Sequence, residues 1–286
     1  MAKTAVNLST RGRLYEPHAR SYERMKIEVY LNHGWVLEPT NANGTTLRPY
    51  ADQVAIFKQN YTNYPNGSPA VQWDGKNWYR RPGAPSTAKP GTSNHGNGNT
   101  VDFAGLGGFG GTRYKQLAAI APHHGWSNRE GRSVNEAWHW NHFPASDMRA
   151  KTKGWFHVKR LSRTRTYTSK GVKGTVRPWR FPVYINGTVV WGGRTWGVTN
   201  YGNLYAMDHL SPGKAPKFKP GWFHVDPSKK VWNGRDKTLK KVLYKRKGGF
   251  NIYAKTVETR GSHTYVVTNY GTYYRADGLR LGRAKK

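Results

Sequence analysis

Ser93-Asn-His95-Gly-Asn-Gly98-Asn-Thr100-Val-Asp102 is followed downstream by Glu136-Ala-Trp138-His139. The two stretches supply two imidazoles and a carboxylate able to hold a zinc ion, and a second carboxylate close enough in sequence to serve that metal. Catalytic zinc sites use three protein ligands of this kind and keep a fourth position for water. Six residues rich in Gly and Asn separate His95 from Asp102, so a loop running into a short strand can bring both to one point. Glu136 lies three residues before His139. In an extended segment that spacing sends the two side chains to opposite faces, so a bend near Ala137 and Trp138 is required for both to reach one metal. About forty residues part the two stretches, and only a folded domain can assemble them. Other histidines have plainer readings. His123-His124 sits at an expected helix end, where a cation complements the dipole, and His142 in a strand would face away from His139.

The elements that must position these groups follow from periodicity and punctuation. Residues 1–146 read as one domain of α+β class, helices with a few antiparallel strands. A helical period over 22–33 stops at Gly34, a suitable C-cap. A second helix is expected from Pro49 or Tyr50 to Asn60, with Val54, Phe57 and Tyr61 on one face. Residues 63–99 are dense in Pro, Gly, Asn and Ser and read as a long loop delivering the first motif. Strands are expected at 100–104 and 137–143, and a helix at 113–122 after the glycine cluster.

The second half is a tandem repeat. Gly154-Trp-Phe-His-Val158 recurs as Gly221-Trp-Phe-His-Val225, and Val198-Thr-Asn-Tyr-Gly202 as Val267-Thr-Asn-Tyr-Gly271, at offsets of 67 and 69 residues. Val, Tyr, Thr and Trp with closely spaced Gly and Asn predict short strands and hairpins. Two small all-β modules are expected at 153–210 and 221–282, joined by a Pro- and Lys-rich linker over 211–220. Trp155, Trp222, Tyr201 and Tyr270 read first as core residues of these modules, and second as surface rings for stacking on sugars.

Composition narrows the partners. The chain has 286 residues and no cysteine, which excludes disulfides and thiolate metal sites. The formal net charge is +32, unevenly spread. Residues 1–150 hold 17 Lys+Arg against 10 Asp+Glu, a net of +7; residues 151–286 hold 30 against 5, a net of +25. The second half therefore expects an anionic target, either nucleic acid or the anionic polymers of a bacterial envelope. No run is long and apolar enough to span a membrane. The N-terminus lacks the apolar core of a secretory signal, so synthesis in the cytoplasm is expected.

Ser93, His95, Gly98 and Asp102, followed by Glu136, Trp138 and His139, resemble the two-part signature of the zinc peptidases that cleave bacterial peptidoglycan. That group includes VanY-type D-alanyl-D-alanine carboxypeptidases and the L-alanyl-D-glutamate endopeptidases of phage endolysins. Thr100 stands where the family usually has alanine. Leu47-Arg48-Pro-Tyr-Ala-Asp-Gln53 is similar to the family's arginine-containing segment. The likeness covers roughly residues 20–145. It implies zinc held by His95, Asp102 and His139, with Glu136 as general base and Arg48 facing a substrate carboxylate or the oxyanion. Paired aromatic-rich β modules after such a domain resemble the SH3-like wall-binding repeats of endolysins. The implied protein is a phage-type endolysin made in the host cytoplasm. It would act on the wall, bind peptidoglycan and its anionic polymers, and cleave L-Ala-D-Glu. Its first alternative is D-alanyl-D-alanine carboxypeptidase. From other classes, a basic nucleic-acid-binding protein or a non-catalytic wall binder accounts for the charge. Both leave Glu136 and an open three-ligand site unexplained, and no standard nucleic-acid-binding motif is present.

Overall fold

The structure is a computed structural model that describes residues 4–41, 45–65, 69–228, 230–234 and 244–283. Its architecture is mostly β, with several sheets and few helices. The chain divides into two units, the first ending at Lys151 and the second beginning at Thr152. No helix among the described residues is long and apolar enough to cross a membrane.

In the first unit, β1 (Ala5–Asn7) and β2 (Arg13–Tyr15) form a two-stranded sheet ahead of α1 (His18–His33). The helix begins four residues before the periodic stretch and ends at Gly34, whose N–H donates to the Tyr30 carbonyl at 2.8 Å. Ala19, Tyr22, Met25 and Val29 form its inner stripe and pack into a core with Leu37, Val101, Phe103, Leu117 and Trp126. α2 (Tyr50–Asn60) starts directly after Pro49. Gln53 and Phe57 are its buried residues, while Val54 is only half-buried.

The stretch read as a long loop is not wholly one. Three strands, β3 (Tyr61–Thr62), β4 (Val71–Trp73) and β5 (Lys76–Arg80), make an antiparallel sheet in the order β3-β5-β4. The hairpin turns at Asp74 and Gly75, both at positive φ (55° and 68°). Asp-Gly is a strong sequence signal for such a two-residue turn, here concealed among neighbouring prolines and glycines. Phe57 stacks on Tyr61 at 4.6 Å and meets Trp78 edge-on, a small satellite core beneath the loop.

The sheet that matters for the candidate site has the order β6-β8-β7, from β6 (Thr100–Asp102), β7 (His124–Ser127) and β8 (His139–Asp147). β8 starts two residues later than expected and runs four further. Helix α3 (Thr112–Ile120) gives way to a 3-10 turn at Ala121–His123, where the sequence pattern suggested continued helix. A short helix, α4 (Arg129–Ser133), was not anticipated.

In the second unit the two repeats share one pairing scheme. Gly154–Val158 lies between Pro182–Ile185 and Leu210–Pro212, and Gly221–Val225 lies between Phe250–Arg260 and Arg280–Leu281. Arg194–Val198 and His263–Thr268 hold equivalent central places in their own hairpins. The 11-residue strand Phe250–Arg260 does the work of two strands of the first repeat, bending at a bulge between Ala254 and Thr256. The repeats also touch. Trp179 of the first enters the core of Phe223, Val225, Ile252 and Val266, and its carbonyl accepts from Thr264 Oγ1 at 2.9 Å. The expected linker is partly structured, since Ser211 and Pro212 belong to a strand and Phe218 packs on the second core.

The core reading of four repeat aromatics is corrected. Tyr201 and Tyr270 are 90% and 91% exposed, and Trp155 and Trp222 are 46% and 39% exposed. Burial goes instead to Tyr205, Trp179, Tyr265 and Tyr274. Strand alternation decides this. Phe223 and Val225 point inward, so Trp222 in the same strand must point out.

Candidate metal centre

Antiparallel pairing of β6 with β8 sets Asp102 directly opposite His139. Their side chains meet, with His139 Nδ1 3.0 Å from Asp102 Oδ1. His95 arrives from the loop before β6. That loop closes through Gly98, whose N–H donates to the His95 carbonyl at 3.0 Å with φ +63°. A Cβ on Gly98 would stand 2.5 Å from the Tyr15 ring, so both the turn and the close approach require glycine there. Ser93 is buried and its carbonyl accepts from Asn97 N–H at 3.3 Å within the same loop.

Residues 45–48 hold the parts together. The Thr45 carbonyl accepts from Asp102 N–H (2.9 Å), and Arg48 N–H donates to the His95 carbonyl (3.1 Å). The Thr46 carbonyl faces His95 Nδ1 at 3.1 Å. In the neutral ring this makes Nδ1 the protonated nitrogen and leaves the lone pair on Nε2. That Nε2 lies 3.3 Å from Asp102 Oδ2. Ligand atoms of His95, Asp102 and His139 all fall within 4.8 Å of one another.

Glu136 reaches the group through the bend that its spacing demanded. Ala137 and Trp138 form a turn closed by His139 N–H to the Glu136 carbonyl at 3.3 Å. Asn128 fastens this turn, donating from Nδ2 to the carbonyls of Glu136 (3.1 Å) and His139 (2.6 Å). The Glu136 side chain is 41% exposed, and its carboxylate stands 3.8 Å from His139 Nδ1. Trp138 is exposed, whereas Trp140 fills the core and donates to the Ala137 carbonyl at 3.0 Å.

The electrostatics favour a cation. Burial would push the Asp102 carboxyl up, but hydrogen bonds from His139 and His95 outweigh it and hold it down to about 2. Burial alone would lower His139; the Asp102 hydrogen bond and the charges of Asp102, Glu130 and Glu136 raise it instead. Three carboxylates that stabilise an imidazolium there also stabilise a divalent ion. Arg48 is pulled down by burial and held up by Asp102 and Asp52, so its guanidinium lies within the field of the Asp102 carboxylate.

Several contributors were missed in the sequence. Glu130 on α4 lies 3.5 Å from His139 Nε2 and accepts hydrogen bonds from Asn94 and Asn141. Those amides outweigh its burial and lower its pKa. Thr100 is fully buried and donates to Asn141 Oδ1 at 2.6 Å, a use for the hydroxyl at that position. No local spacing marks Glu130, Asn128 or Thr46, because each acts across a tertiary contact. His142 and His124 lie apart from the triad. His142 Nδ1 meets His18 Nδ1 at 2.8 Å, and the fully buried His124 bonds Glu28 at 2.9 Å.

The residues present fit zinc. The set is two imidazoles and one carboxylate, with an outer carbonyl fixing the tautomer of one ring. His139 turns Nδ1 to Asp102 and Glu136, at 3.0 and 3.8 Å, and Nε2 to Glu130 at 3.5 Å. No protein-family model, curated protein or solved structure matches this chain.

Proposed function

We propose that the first unit is a zinc-dependent peptidase acting on the stem peptides of bacterial peptidoglycan, and that it cuts the bond between L-Ala and D-Glu. The observation that carries this reading is the convergence of His95, Asp102 and His139 beside the carboxylate of Glu136. Bound zinc supplies Lewis acidity, bringing the pKa of water from 15.7 to about 7 and polarising a carbonyl.

The chain's own groups account for the rest. Asp102, ionised across the neutral range, carries the negative charge of the ligand set. The Thr46 carbonyl keeps His95 oriented with Nε2 toward the site. Glu136, partly exposed and free of the amide bonds that engage Glu130, accepts the proton of the attacking water and returns it to the leaving amine. Asn128 fixes the distance between that base and His139 by bonding both carbonyls of the turn. Arg48 offers a half-buried fork suited to a carboxylate of the stem peptide or to the developing oxyanion. Endopeptidase cleavage detaches the stem peptide and dissolves the wall, a task that suits a chain with a strongly basic second unit.

Purified walls from several Gram-positive species, incubated with protein that is chelated and then zinc-restored, test the reading. Mass spectrometry of released ends should show new amino-terminal D-Glu only with zinc. Free D-Ala would replace the endopeptidase by the carboxypeptidase, and no release from any wall by the zinc-loaded protein would remove the peptidase.

A further inference from the structure

Each repeat of the second unit carries the same trio of side chains, with the tryptophan and the cation exposed in both and the tyrosine half-buried in the first. Trp155 and Tyr184 are cross-strand partners with ring centroids 5.4 Å apart at 75°. Trp222 and Tyr253 repeat this at 5.4 Å and 71°. A cation lies over each indole, Lys214 Nζ at 5.9 Å and the Arg283 guanidinium at 3.9 Å. Both cations directly follow a glycine whose N–H donates to the tryptophan carbonyl, Gly213 to Trp155 at 2.7 Å and Gly282 to Trp222 at 2.8 Å. The carbonyls of those glycines also face a histidine ring, His157 at 3.0 Å and His224 at 3.1 Å. The same backbone device therefore brings a cation to a surface indole twice. The cation type differs between copies while its place and charge do not.

A contiguous exposed apolar patch rimmed by polar groups marks an interaction site. An indole face takes the apolar C–H face of a sugar ring. The neighbouring ammonium or guanidinium takes an acidic substituent of that sugar. The net charge of +25 over residues 151–286 adds long-range attraction for a polyanion.

We infer that the two Trp–Tyr–cation patches are equivalent binding sites for an anionic glycan whose sugar rings carry carboxylates. Choosing the glycan strand of peptidoglycan as the occupant, whose muramyl arms carry a free carboxylate once the stem peptide is cut away, rests on the function proposed above. A polymer with repeating acidic sugars can engage both patches of one chain, which raises its apparent affinity over that of either patch alone.

The test is calorimetric titration of the full chain with glycan strands freed of stem peptides by an amidase, so that no scissile bond is present. Saturable binding is expected, with affinity at least tenfold stronger than for chitin oligomers, which offer the ring without the acid. Trp155→Ala with Trp222→Ala should weaken it at least tenfold. Lys214→Glu with Arg283→Glu, both at exposed positions, should do the same if the tryptophan variants fail to fold. Undiminished affinity in the folded tryptophan pair or in the charge-reversed pair would overturn the inference, as would equal affinity for chitin. Tighter binding of poly(glycerol phosphate) would reassign the patches to phosphodiesters. Tighter binding of an oligothymidylate, lost with the same tryptophans, would reassign them to nucleic acid. Hydrolysis is not read here, so failure of the peptidase and failure of the glycan sites show up separately.

Discussion

Glu136 and Glu130 both stand beside His139, and their surroundings separate their roles. Glu130 accepts from two amides, which lowers its pKa and weakens it as a base. On the proposed reading Glu136 moves the proton, so Glu136→Ala should depress turnover by about 10²–10⁴-fold while zinc stays bound. Metal analysis of the dialysed variant checks this, and zinc lost along with activity would move Glu136 into the ligand set. A second set of ionisable residues concerns stability rather than chemistry. Arg24 is ion-paired with Asp147, both sealed from solvent, and His142 Nε2 lies 3.6 Å from the same carboxylate. Burial would raise the Asp147 carboxyl, but His142 and Arg24 outweigh it and hold it low. A depressed carboxyl contributes stability that is complete above its unfolded value, about 3.9. That stability disappears as pH falls toward the lower folded value. Urea midpoints should therefore drop below about pH 4, and an Asp147→Asn variant should lose less over that window; parallel profiles would remove Asp147 from the acid limb.

Among the elements, the loop before β6 is the most demanding. Gly98→Ala must place a methyl into the Tyr15 ring at a positive φ, and should cost about 1–3 kcal/mol. Thermal unfolding reads that loss, and a zinc titration should show weaker binding because His95 is displaced. A variant as stable as the parent with unchanged zinc affinity would show that the loop adapts. Much of the framework was legible in sequence. Gly34 ended α1, Pro49 opened α2, and the odd spacing of Glu136 and His139 demanded the turn that Ala137 and Trp138 make. The hairpin at Asp74-Gly75 carried its signal too, but its flanking strands have only three and five residues. The start of α1 was misjudged because His18 to Ser21 show no strong apolar period, although Ala19 and Ser21 are buried by tertiary contact.

For the whole molecule, charge and repetition dominate. With the positive excess concentrated in residues 151–286, wall binding by the full chain should weaken steeply between low salt and about half-molar salt, where the Debye length shrinks to a few ångström. Pelleting with walls across that range measures it, and a flat response would leave the aromatic patches to act without electrostatic help. Sequence alone determined the residue types of the candidate metal triad, the tandem repeat and the charge asymmetry, because each is written in identity and spacing. Only the tertiary structure decided that Asp102 faces His139, that Thr46, Asn128 and Glu130 attend the site, and that Trp155 and Trp222 are exposed. The physical reason is common to all three. Strand register and the direction of a side chain depend on partners distant in sequence, and nothing within the local stretch specifies them.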